Sequence, residues 1–188
     1  MKKQLSKRDK VMQTALQMVA NGGFHASPMA ELASVSGVAV GTIYHHFASK
    51  EDLMIALYLN ASKNMSKALE ATATSKLSPS KKVELMFLDL HAHLIKNALE
   101  FSFLDQFQSS PFAGHDAVES LFEKNVMDVF KEGSKAGKMK KLSPDVLAEY
   151  FYNAVATVVR MQLTTQRKKV SKKDAATFAE MAWNAIKK

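Results

Sequence analysis

Between Ser27 and Leu53 the helical pattern of the chain breaks twice within a few residues, and this punctuation constrains the fold more than any bulk property. Ser27-Pro28 opens a helix: serine caps, and proline is tolerated where the first backbone N–H has no partner anyway. Met29, Leu32 and Ala33 follow at helical spacing. Gly37 then makes a turn that Val38 plugs, and Ala39 to His46 read as a second short helix. Ser49-Lys50-Glu51-Asp52 is a Ser-x-x-Asp cap that opens the next one. Two short helices joined by a Gly-containing turn of three or four residues form a helix-turn-helix. In such a motif the second helix enters the DNA major groove.

The rest of the chain repeats this grammar. A first helix runs from about Ser6 to Ala20, with Asp9 three residues after Ser6 and an apolar face of Val11, Ala15, Met18 and Val19. Asn21-Gly22-Gly23 stops it, and Phe24 anchors the turn. The helix opened at Ser49 continues through Leu53, Ala56 and Leu57. Ser78-Pro79 opens a helix holding Val83, Phe87, Leu90 and Leu94, and another apolar stretch spans Leu99 to Phe107. Ser109 to Gly114 is a loop, Asp116 to Lys135 is helical, Ser143-Pro144 opens a helix to about Thr165, and Ser171 caps the last one. Long alternation of period two is absent, so the expected fold is all-α with about nine helices.

The chain of 188 residues is 47% hydrophobic, enough to bury a core. It has no cysteine, which excludes disulfides and thiolate metal sites and fits a reducing cytoplasm. The N-terminal charges lack the apolar run of a signal peptide, and no apolar stretch is long enough to span a membrane. Net charge is +8, but residues 1–60 carry six Lys/Arg against four Asp/Glu, so most of the excess lies elsewhere. Clusters such as Lys138 to Lys141 read as solvated loop charge. The motif, not the charge, points to DNA.

The motif resembles the DNA-binding domain of the TetR/AcrR family of bacterial transcriptional regulators. Ala33, Gly37-Val38, Gly41-Thr42-Ile43-Tyr44, His46-Phe47, Ser49-Lys50 and Leu53 carry the resemblance, which covers about the first 50 residues. Beyond residue 60 the likeness is one of architecture. On the second helix of the motif, Ile43 and Phe47 are four apart and face the core together. Val40, Gly41, Thr42, Tyr44, His45 and His46 face outward. Gly41 lets DNA approach the backbone, and Thr42 offers a hydroxyl and a methyl. Tyr44 and His46 present polar tips suited to phosphates, as the resemblance also implies. Lys50 lies in the first turn of the next helix, where phosphate binding is natural. The resemblance adds Ser27 as a phosphate ligand. Bland roles fit each side chain as well: Tyr44 as half-buried packing, His45 as an idle surface group, His46 as a hydrogen bonder within the domain, Lys50 as a surface lysine. Ala39 stands where the family commonly has a Ser-like cap, and Val40 where polar residues are common. An apolar Val40 suggests contact with a methyl group.

These readings divide the chain into a DNA-binding domain, 1–50, and an effector-binding and dimerisation domain, 51–188. The helix after Ser143 carries Val146, Leu147, Tyr150, Phe151, Ala154, Val155, Val158, Val159 and Met161, too wide an apolar surface for one core-facing stripe. The resemblance implies that helices about 144–165 and 172–186 pair with those of a second copy, giving a homodimer on a palindromic operator in double-stranded DNA. A helix fully buried within one subunit is the other reading of that surface. The resemblance also implies an effector pocket. Candidate lining residues are Phe87, His91, Phe101, Leu104, Phe107, Phe122, Val126, Phe130, Asn153 and Met161, with His91, Asn153 and Gln106 as polar anchors for a mainly apolar small molecule. Residues at such spacing also make an ordinary core. No cofactor or metal is expected: His91 and His93 diverge on a helix, and no His-Glu-x-x-His occurs. Neither a nucleophile motif nor a phosphate loop is present, so the chain is not expected to be an enzyme.

The expected function is a DNA-binding transcriptional regulator, a repressor released when an apolar ligand shifts the helix from about Glu51 to Ser66. An adaptor of the same fold controlled by a protein partner, and an all-α enzyme or binding protein with a chance motif, are the alternatives.

Overall fold

The computed structural model describes residues 5–24, 28–115, 122–164 and 170–188. Its helices are α1 (Lys7–Gly22), α2 (Met29–Ser36), α3 (Val40–His46), α4 (Lys50–Ala73), α5 (Pro79–Lys96), α6 (Ala98–Phe107), α7 (Lys124–Lys135), α8 (Pro144–Thr164) and α9 (Lys172–Ile186), with a short 3-10 helix at Pro111–Gly114. Among the described residues the only extended pairing is an isolated antiparallel bridge between Met139 and Lys187. The all-α expectation therefore holds.

Local chemistry sets most boundaries. The Ser6 hydroxyl accepts from the Asp9 N–H at 3.1 Å, Ser49 does the same for Asp52 at 3.0 Å, and Ser171 with Asp174 closes a full capping box. Each satisfies a helix N–H that has no partner within its own helix. Gly23, at φ 76°, and Gly37, at φ 67°, stop α1 and α2 in conformations that a side chain disfavours. Two starts differ from the sequence reading. Pro28 is the N-cap of α2 rather than its first helical residue, at ψ 144°. The helix expected from Asp116 begins at Lys124, because Glu123 is extended and its N–H donates to the buried Ser66 hydroxyl at 2.8 Å. Asp116 to Leu121 lie outside the described residues.

The chain packs as two units, one of residues 1–61 with 99–119 and one of 62–98 with 120–188. In the first, α1, α2 and α3 pack on one another around Val11, Ala15, Val19, Leu32, Val38, Ile43, Phe47 and Leu53, all buried. The Arg8 guanidinium lies 5.2 Å from the centre of the Phe47 ring, over its face. Helix α6 belongs to the same unit. Phe24 packs against Phe103, Phe107 and Phe112 with ring centres 5.5–6.2 Å apart, and Tyr58 stacks on Phe107 at 4.6 Å. The Ser102 hydroxyl donates to the Ala20 carbonyl and the Gln106 amide to the Val19 carbonyl, so α6 caps the end of α1.

In the second unit α5 packs against α7, α8 and α9. Phe151 of α8 is fully buried, with Phe130, Phe122 and Phe87 at centroid distances of 5.6, 6.3 and 6.4 Å. Met139 lies against Gly133, where an added Cβ would come within 2.5 Å of the Met139 methyl carbon. That close approach favours glycine at this point of α7, despite its cost inside a helix.

Candidate nucleic-acid interface

Helix α3 is seven residues long, and its two faces separate cleanly. Ile43 is fully buried and Phe47, at its C-cap, is 4% exposed. Gly41, Tyr44, His45 and His46 are exposed, as is Val40, while Thr42 is half-buried. Two side chains four residues apart thus hold the helix to α1 and α2, and the rest of its surface meets solvent. Ala39 is the N-cap and makes no side-chain cap bond; its carbonyl receives the N–H groups of Thr42 and Ile43 at 2.8 and 3.1 Å. The rings of His45 and His46 lie 5.5 Å apart.

Lys50, expected at a phosphate, has its ammonium donating to the Phe24 carbonyl. Its pKa lies below the ordinary lysine value because the group is partly desolvated there. No local pattern signals this partner, which lies 26 residues away. Ser27 falls outside the described residues.

The residues suggested for an effector do not form one group. Phe101, Leu104 and Phe107 are buried in α6, within the first unit, and Phe107 serves the aromatic cluster around Phe24. Gln106 is not a pocket anchor: its amide is spent on the Val19 and Ser102 carbonyls. Phe87, Phe122, Val126 and Phe130 are buried in the second unit. Asn153 points outward and donates to the backbone and side chain of Glu149, one helical turn earlier, because position 153 lies on the solvent face of α8. Met161 is also exposed.

His91 is half-buried, with its Nε2 3.1 Å from Gln162 Oε1. Burial lowers its pKa from the ordinary value of 6.5, and the bond to Gln162 opposes that shift in part. A histidine whose folded pKa is depressed binds its proton more readily when unfolded. Its contribution to stability is therefore intact above pH 6.5 and is lost as pH falls from there through the folded value. Melting curves between pH 7 and 5 are expected to show a drop in Tm that His91→Gln reduces. An equal drop in both proteins would remove His91 as the cause.

Helix α8 resolves the width of its apolar surface. Leu147, Phe151, Val155 and Val159 form the inner stripe, at 0% exposure, and Val146, Tyr150 and Met161 form an outer one, exposed by 43–51%. Tyr150 and Met161 of that outer stripe, with Phe178, Met181 and Ala185 of α9, line an open groove of about 450 Å³. Among the described residues there is no group of three His, Cys, Asp or Glu side chains placed to hold a metal ion, and no helix is long and apolar enough to cross a membrane.

Comparison with known proteins agrees with this geometry. Residues 11–57, which take in the whole helix-turn-helix, match the model of the bacterial regulatory proteins of the tetR family. A fatty acid metabolism regulator protein of Bacillus subtilis is 25% identical over 146 residues, 75% of each chain. A tetR family transcription regulator from Shewanella sp. PV-4 superposes with a TM-score of 0.87 at 21% identity, covering 98% of this chain and 100% of its own. A TetR family transcriptional regulator from Vibrio parahaemolyticus is 27% identical, with a TM-score of 0.77 over 97% of this chain and 100% of its own. Residues 11–57, with a helix-turn-helix that buries Ile43 and Phe47 and exposes the opposite face of α3, are thus a DNA-binding region of the tetR type, and the chain as a whole has the fold of transcriptional regulators of that family.

Proposed function

We propose that this regulator is a homodimeric repressor that binds a palindromic operator through α3 and leaves it when an apolar small molecule occupies the helical part of the chain. The observation that carries the DNA reading is the split surface of α3, with Val40, Gly41, Tyr44, His45 and His46 outward and Ile43 inward. A seven-residue helix reads few base pairs, so two half-sites about one DNA turn apart are needed. Residues 1–50 then serve DNA, and 51–188 serve effector binding and dimerisation. The outer stripe of α8 and the groove it forms with α9 support a second copy as the partner of that face. The cytoplasm is the location that this proposed work on DNA implies.

An apolar effector is favoured by the aromatic second unit, where Phe87, Phe122 and Phe130 surround Phe151, and by the B. subtilis relative named for fatty acid metabolism. Acyl compounds are therefore the first ligands to try. The ligand must favour the DNA-incompetent state, with α4 as the element it acts on.

Tyr44 and Lys50 give the direct test. On duplexes enriched from a random pool by the full-length protein, Tyr44→Ala with Lys50→Ala removes two proposed contacts per half-site, Lys50 reaching a phosphate with the ammonium protons that it does not give to the Phe24 carbonyl. At about 1.5 kcal/mol for each contact to a charged phosphate, the four together should weaken binding by roughly four orders of magnitude. The salt dependence should become shallower by about two counterions, one for each Lys50. Unchanged affinity in a folded double variant would refute the assignment.

A further inference from the structure

From Ala33 to Ser49 the chain holds no Lys, Arg, Asn, Gln, Asp or Glu. This stretch comprises the end of α2, the turn and the whole of α3. The commonest hydrogen-bonded base contacts are Arg or Lys to guanine and Asn or Gln to adenine, and this surface offers none of them. It offers instead an apolar step. Val40 is 41% exposed, although it belongs to the most hydrophobic class of side chains. Ala39 and Gly41 on either side of it are exposed and small, and a Cβ added at Gly41 would meet nothing within 4 Å. Neither flanking residue therefore keeps DNA from the Val40 methyls, and Tyr44, one turn on, is itself exposed toward the same side. The apolar group that a base pair displays in the major groove is the 5-methyl of thymine.

We propose that Val40 reads a thymine 5-methyl, so that each half-site is specified at that step by a methyl contact and not by a hydrogen bond to a base edge. This rests on the DNA-binding reading of α3. Polar recognition is left to Thr42, Tyr44, His45 and His46, which follow Val40 on the same helix.

Deoxyuridine separates the two kinds of contact, since it keeps every hydrogen-bonding edge of thymine and lacks only the methyl. The full-length protein first enriches a duplex from a random pool, and each thymine of that duplex is then replaced singly by deoxyuridine. One position per half-site should weaken binding about 4-fold, and the change in both half-sites roughly 15-fold, the value of one buried methyl per contact. Val40→Ser should bind the thymine and deoxyuridine duplexes equally at that position, whatever its absolute affinity. Val40→Thr, which keeps one methyl, should restore part of the ratio. Indifference of the wild-type protein at every thymine would overturn the proposal, as would an undiminished penalty in Val40→Ser. A pool from which no duplex is enriched overturns the DNA-binding reading as well, and so is a distinct result.

Discussion

Met181→Asp is expected to turn the protein from a dimer into a monomer and to lower operator affinity by two orders of magnitude or more. Met181 is 57% exposed, more than Tyr150 and Met161, with which it shares the groove. A carboxylate there costs the single subunit little, because it stays in water. Pressed against a second copy it would lose that water without gaining a partner. Twofold symmetry places the change twice in one interface, so the penalty is doubled. Monomers would then have to occupy two half-sites independently, without the gain from linked binding. Sedimentation equilibrium measures the first effect and titration of the operator the second, with helical content from circular dichroism unchanged. A variant that stays dimeric at micromolar concentration would show that another surface joins the subunits.

Phe151→Ala should cost the most stability of any single change in the second unit. The ring is fully buried and meets three others, Phe87, Phe122 and Phe130, at centroid distances of 5.6–6.4 Å. Removing a packed phenylalanine costs about 3–5 kcal/mol, lost transfer energy plus the cavity left behind. Against a typical stability of roughly 5–15 kcal/mol, that is a large share. Phe151→Leu keeps most of the volume and should lose far less. Urea unfolding followed by circular dichroism reads both; a loss below about 1 kcal/mol for the alanine variant would mean that neighbouring rings close the space. Because Phe151 lies inside and Met181 outside, the two variants separate folding from assembly.

The residues that open and close helices were readable in order. Ser6, Ser49, Ser78 and Ser171 all cap, and Gly37 makes the turn between α2 and α3. Each is an interaction within about four residues, where local geometry decides the outcome. The inner face of α3 was legible for the same reason, since Ile43 and Phe47 are one turn apart. The helix expected from Asp116 started late because Glu123 is tied to Ser66, 57 residues earlier, and no local pattern carries that bond. The suggested effector residues suffered likewise: an apolar period marks a buried face without saying which core it enters.

The amino-acid sequence by itself determined the helical class, the helix-turn-helix and the side chains that α3 presents, because 3.6-residue periodicity and capping act along the chain. Tertiary structure alone decided that Lys50 donates to Phe24, that Gln106 caps α1, that α6 packs with the first unit, and that the apolar surface of α8 splits into a buried and an exposed stripe. Those outcomes depend on which surfaces meet after the helices form. They join residues 26 to 87 positions apart, and such contacts leave no periodic trace in the sequence.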